Sequence, residues 1–150
     1  MGGIIMYNST KILASGQQMK RLYEKQFEDI CQRYQLTQNE IDILVFLANN
    51  PSFDTASDIV EVRMIAKSYI SKSVESLIKK GLLVRIPDKE DRRIIHLHLT
   101  EYADSIITEG RLRQKEFVKL LFTGMDDNEI KTLEFLLGKI FENVEKVSNK

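Results

Sequence analysis

The stretch AKSYISKSVESLIKKGLLVRIPDKEDRRIIHLHLT, residues 66–100, decides the fold, because within it the hydrophobic period changes. Ile70, Val74, Leu77 and Ile78 recur at helical spacing, and Gly81 stands where a left-handed residue ends a helix. Past Gly81 the pattern alternates: residues 82–86 read as one strand, and Ile95, Leu97 and Leu99 alternate with Ile94, His96 and His98 in a second. Between them six charged residues run together, Asp88, Lys89, Glu90, Asp91, Arg92 and Arg93. A helix followed by a hairpin with a charged loop is the expectation.

Upstream, apolar residues from Lys11 to Tyr34 predict one long first helix. LTQNEIDILVFLANNP, residues 36–51, predicts a second, started by a capping box of Thr37 with Glu40 and closed by Asn49, Asn50 and Pro51. Asp54 or Thr55 caps a short third helix that ends near Arg63 and Met64. Downstream, Thr100 is expected to cap a fifth helix with Ala103, Ile106, Ile107, Phe117, Leu120 and Leu121 inward. GMDDNE separates it from a sixth carrying Ile130, Leu133, Leu136, Leu137, Ile140, Phe141, Val144 and Val147. The fold class is therefore mainly α with a small β-wing, in the order α-α-α-α-β-β-α-α. Residues 1–150 form a single domain in this reading, with a winged helix-turn-helix at 36–100 and flanking helices at 10–35 and 101–147. The outer helices have apolar stripes wider than a small neighbour covers, so a second copy is expected to pair with them.

Composition narrows the function. The 150 residues hold 22 basic and 22 acidic side chains, so no whole-chain attraction to a polyanion or an anionic membrane exists. Residues 63–93 nevertheless contain nine basic and four acidic residues, a local excess of five that the remainder offsets with an acidic excess of five. One cysteine, Cys31, allows no internal disulfide, which suits a reducing compartment. Neither a charged leader in the first fifteen residues nor a run of roughly 18 apolar residues is seen, so a soluble cytoplasmic protein without membrane contact is expected. Phosphate-cradling glycine loops, a nucleophile elbow and a His-Glu helix motif are all missing from the sequence, and catalysis is not expected.

Two short helices, a tight turn and a helix with a basic, hydroxyl-rich face compose a helix-turn-helix, whose second helix enters a major groove by its first turn. That helix starts near Lys67. Ser68 and Ser71 allow close backbone approach, Lys67 and Lys72 reach phosphates or guanine edges, Tyr69 offers a hydroxyl and a ring, and Glu75 accepts from a cytosine amine. In the hairpin, Lys89, Arg92 and Arg93 are the candidates for phosphate and minor-groove contact, with Asp91 bracing an arginine by a bidentate pair.

LTQNEIDILVFL, SYISKSVESLIKKGLLVR and PDKEDRRIIHLHLTE together resemble the MarR family of winged-helix transcriptional regulators, in the same order and at the same spacings. The most specific part is the wing: an acidic residue, then Asp91-Arg92-Arg93, then an apolar strand ending Leu99-Thr100. The resemblance covers residues 10–147. It implies a homodimer joined through the first and the last two helices, each subunit offering a winged helix to half of a palindromic double-stranded DNA operator. It further implies repression, with release by a small phenolic or lipophilic effector or by thiol oxidation. Two departures stand out. Ala66 occupies a position where many members have a polar capping residue, and Cys31 lies late in the first helix, which argues against a redox sensor.

Other readings of the same residues remain. A winged helix can serve as a protein–protein adaptor without operator binding, but Lys67, Ser68, Ser71 and Lys72 supply no apolar anchor. A ligand or metal sensor that has lost operator binding is a third. His96 and His98 share one side of a strand, yet no cysteine or carboxylate cluster completes a metal set, and both are expected toward solvent. No cofactor is expected. Cys31 reads as a small buried hydrophobe, and Tyr23, Phe27, Phe46 and Phe53 as core in preference to a pocket lining.

Overall fold

The computed structural model describes residues 9–148. The opening residues 1–8, part of the stretch read above for a leader, lie outside the described residues. In chain order come α1 (Ser9–Lys25), α2 (Glu28–Tyr34), α3 (Gln38–Asn49), α4 (Ala56–Arg63), α5 (Lys67–Lys79), β1 (Leu83–Pro87), β2 (Ile95–Leu99), a 3-10 turn (Glu101–Ala103), α6 (Asp104–Leu121) and α7 (Asp127–Ser148). The chain is mostly helical with a two-stranded antiparallel wing. Two compact units divide it, one reaching to Lys115 and the other starting at Glu116.

The single long first helix is in fact two. At Gln26 and Phe27 the backbone bonds tighten from four residues to three, Gln26 N–H reaching Tyr23 O at 3.0 Å and Phe27 N–H reaching Glu24 O at 3.0 Å. The re-aimed chain brings Phe27 and Ile30 into the core, both at 0% exposure. Phe27 also packs on Tyr23, ring centroids 4.8 Å apart.

Local chemistry sets the other boundaries. Thr37 accepts from Glu40 N–H while Glu40 Oε2 accepts from Thr37 N–H at 2.7 Å, so the capping box starts α3. Thr55 and Asp58 form a second box at α4. After α5, Gly81 adopts φ +73°. Gly81 N–H bonds Ile78 O at 2.9 Å and Leu82 N–H bonds Leu77 O at 2.9 Å, which satisfies two orphan carbonyls at the helix end. Thr100 differs from expectation. Its hydroxyl caps no helix and donates instead to Gly81 O at 2.6 Å, while its N–H reaches Leu82 O. Both bonds close the base of the hairpin.

The first unit holds the core. Phe27, Ile30, Ile41, Ile43, Leu44, Val45, Ile59, Ile70, Leu77 and Leu83 are its largest fully buried side chains, and Ala103, Ile106 and Ile107 join it. Each such aliphatic or aromatic group contributes about 1.5–3 kcal/mol relative to exposure. The wing ladder pairs Leu83 with Leu99 through Pro87 with Ile95. A bridge from Thr55 to His96 and a bond from Leu97 N–H to Asp54 O at 2.7 Å seat β2 against the segment that leads into α4.

In the second unit, Asp126 accepts from Asn128 and Glu129 N–H and starts α7. No residue of α7 is buried within the chain. Phe135, Ile140, Phe141, Val144 and Val147 stand half or more exposed on it. The residues expected inward on the last two helices thus divide: Ala103, Ile106 and Ile107 are core, Phe117, Ile130 and Leu133 are half-buried, and Leu120, Leu121 and the rest of the α7 set are open.

Candidate nucleic-acid interface

Helix α5 buries Ile70, Ser73, Val74 and Leu77 and turns the opposite face outward. Lys67, Ser68, Tyr69, Ser71 and Lys72 are all exposed, Tyr69 at 62%. Its first turn begins at Ala66, which has no side-chain cap, so the leading N–H groups of α5 are not closed off by a neighbouring hydroxyl. Glu75 is placed differently from the others. Its carboxylate accepts from Arg85 Nη2 of β1 at 2.7 Å, and that guanidinium holds its pKa below the ordinary glutamate range. The pair therefore ties the helix to the wing strand, a long-range pairing that helical spacing does not reveal.

In the wing, Lys89, Arg92 and Arg93 are exposed, and 91% of the Arg93 side chain is open. Arg93 Nε and Nη2 donate to the two oxygens of Asp91 at 3.0 and 3.1 Å, a bidentate fork, and Arg93 N–H donates to the same carboxylate at 3.0 Å. The guanidinium holds Asp91 ionised below its usual range. Asp88 ties the turn itself. Its Oδ1 accepts from Glu90 and Asp91 N–H, both at 2.8 Å, and these bonds, first from Asp91 and then from Glu90, with His96 third, lower its pKa to about 2.

The local cation excess is smaller at the surface than in the sequence. Arg63 Nη2 donates to Asp42 Oδ2 at 2.9 Å, and Lys80 Nζ reaches both oxygens of Glu40 at 3.1 and 3.2 Å. Both partners belong to α3 and are buried. Burial pushes Glu40 up, yet hydrogen bonds from Ser76, Thr37 N–H and Lys80 outweigh it and hold the carboxyl below its ordinary value. Lys67, Lys72, Lys89, Arg92 and Arg93 remain exposed.

Both histidines were expected toward solvent, and only His98 is so placed. His96 Nδ1 lies 2.7 Å from Asp54 Oδ1 and Nε2 lies 3.2 Å from Asp88 Oδ2. Among the described residues no group of three or more His, Cys, Asp or Glu side chains has metal-holding geometry. Cys31 is half-buried, its thiol pushed up first by burial and then by the charge of Asp42. Of the aromatics read as core, Phe27 and Phe46 are buried, Phe53 is 43% exposed, and Tyr23 lines an open cavity of about 550 Å³ with Asp42, Arg63, Met64, Ile65 and Tyr69.

A helix-turn-helix backed by an antiparallel wing defines a winged-helix protein. Residues 34–94 match the family model described as MarR family. The chain is 28% identical over 106 residues to the HTH-type transcriptional regulator YpoP of Bacillus subtilis, covering 71% of this chain and 74% of that protein. It superimposes on a MarR protein from Peptoclostridium difficile with a TM-score of 0.81 at 20% identity, over 95% of this chain and 93% of that one. A MarR family transcriptional regulator from Listeria monocytogenes, solved with a 26mer DNA, gives a TM-score of 0.76 at 18% identity over 90% and 87% of the two chains. The winged-helix portion thus matches the MarR family over residues 34–94, and the chain as a whole is similar to MarR-type transcriptional regulators. No helix of the described residues is long and apolar enough to cross a membrane.

Proposed function

We propose that this protein binds a near-palindromic double-stranded DNA operator as a homodimer and represses transcription from it. The observation that carries the reading is the pairing, on one winged helix, of an outward polar face on α5 with an exposed arginine forked onto Asp91. Lys67, Ser68, Tyr69, Ser71 and Lys72 enter the major groove, where hydroxyls allow close approach and lysines meet phosphates and guanine edges. Glu75 contributes through Arg85, holding the helix against the wing strand. Lys89, Arg92 and Arg93 contact phosphates and the adjacent minor groove, whose negative potential rewards an arginine already aimed. A structural neighbour solved with a 26mer DNA supports DNA as the partner.

Exposed apolar residues on α1 (Ile12, Leu13, Met19) and on α7 (Phe135, Ile140, Phe141, Val144, Val147) support the homodimer, because monomers rarely leave such stripes in water. The 550 Å³ cavity beside α1, α3 and the start of α5 supports a small lipophilic or phenolic effector. Tyr69 and Met64 line it as well as flanking or belonging to the start of the recognition helix, so an occupant would disturb that helix directly. The domain division proposed is residues 36–100 for DNA and residues 10–35 with 101–147 for dimerisation.

Selection of duplexes from a random pool, followed by gel shifts at several salt concentrations, tests the reading. Arg93→Ala should weaken binding and lower the slope of log affinity against log salt by about one unit. Ser71→Leu should abolish sequence preference while the protein stays folded. Unchanged affinity in both variants overturns the assignment.

A further inference from the structure

The wing arginine is aimed by a relay that begins outside the wing. Asp54, in the segment before α4, and Asp88, at the end of β1, face the two ring nitrogens of His96 at 2.7 and 3.2 Å. Asp88 uses its other oxygen to hold Glu90 and Asp91 N–H, and Asp91 in turn forks onto Arg93. Every step is a direct hydrogen bond, so the direction of Arg93 depends on where Asp88 is held.

A neutral imidazole has one N–H and one lone pair, whereas an imidazolium has two N–H groups. With a carboxylate on each ring nitrogen, the neutral ring satisfies one partner and turns a lone pair toward the other. Only the cation bonds both.

We propose that His96 is the positioning residue of the wing, an imidazolium clamp between Asp54 and Asp88 that sets the turn holding Asp91 and Arg93, so that operator affinity follows the protonation of this one ring. The inference rests on the reading that the wing contacts DNA.

The charged groups facing the ring are Asp54 from the pre-α4 segment and Asp88 from the wing; its ladder partner is Ile86 and its bridge partner Thr55, while the charge of Asp88 acts in turn on Asp91. The bonds to Asp54 and then Asp88 raise the pKa of His96 above its ordinary 6.5. Because the folded value is the higher one, the clamp is complete below about pH 6.5 and is lost as pH rises through the folded value. Asp88, lowered to about 2, stays an anion across that range.

The test measures anisotropy of the selected duplex at constant ionic strength between about pH 6 and 8.5, beside NMR titration of the histidines in the free protein. Wild-type affinity should fall roughly three- to tenfold as pH rises, and His98→Gln, altering the exposed histidine, should keep that profile. His96→Gln should flatten the profile near the wild-type high-pH value. Asp54→Asn should lower both the midpoint of the profile and the His96 midpoint in the free protein, and it carries the test if His96→Gln fails to fold. A wild-type profile retained in folded His96→Gln, or a midpoint unmoved by Asp54→Asn, overturns the proposal. Wild-type protein that prefers no duplex at any pH instead overturns the operator reading, and the NMR midpoints then still decide whether the clamp exists.

Discussion

The guanidinium of Arg63, at the last residue of α4, reaches back to Asp42 in the middle of α3 and donates to its Oδ2 at 2.9 Å. The other oxygen, Oδ1, accepts from Tyr23 of α1 and Gln38 of α3, both at 3.0 Å, and Gln114 of α6 donates to the Tyr23 hydroxyl. Helices α1, α3 and α4 thus meet at one carboxylate that is 4% exposed, and α6 joins them through Tyr23. Removing its cationic partner leaves a buried charge with neutral donors only.

Arg63→Met should therefore destabilise the fold by about 1–3 kcal/mol, less than for a fully enclosed pair because the Arg63 side chain is 25% exposed. Thermal melts of wild type and variant check it. The double variant with Asp42→Asn should recover part of the loss, and an unchanged melting temperature in Arg63→Met would show that the pair adds nothing.

The Tyr23 hydroxyl supplies a spectroscopic prediction. Burial first, and then the charge of Asp42, push its pKa up to about 12. Tyr23 should ionise about two pH units late when absorbance at alkaline pH is followed, and Tyr23→Phe should delete that step. As the folded value exceeds the unfolded one of 10.0, the stabilisation is intact below pH 10 and is lost as pH rises toward 12.

Gly110 of α6 is buried against α3. A Cβ built there would stand 2.6 Å from Val45 Cγ2 of α3. Despite the better helix propensity of alanine, Gly110→Ala should cost about 1–3 kcal/mol through overpacking. Adding Val45→Ala should relieve the clash, so a denaturant series that finds the single variant as stable as wild type contradicts the packing.

Phe141 lies 60% exposed on α7 within a stripe that includes Ile140 and Val144. On the proposed homodimer, Phe141→Glu should shift the sedimenting species from dimer to monomer and weaken operator binding, since each half-site of the proposed operator then has to be bound separately. A variant that still sediments with the wild type places the contact elsewhere.

Signals local in sequence were legible in it. The Thr37–Glu40 capping box, the left-handed Gly81 and the change of period after it depend on neighbours within a few residues, and each has its expected geometry. The break at Gln26–Phe27 was not, because neither glycine nor proline marks it and the apolar spacing continues across it. Pairings distant in sequence were equally hidden. Arg63 and Lys80 counted toward the basic face, yet their carboxylates lie 21 and 40 residues away on α3. Glu75 read as a free acceptor until Arg85 was seen against it, and His96 read as a solvent residue because Asp54 stands 42 residues earlier.

The stitch between Thr100 and Gly81 joins the foot of the hairpin to the end of α5, and the Glu75–Arg85 pair adds a second tie partway along. Helix and hairpin are consequently one tool of fixed gauge. A double helix meeting it as proposed must present its wide and narrow furrows at one separation, so a base pair inserted between the two contacts would carry one of them out of reach.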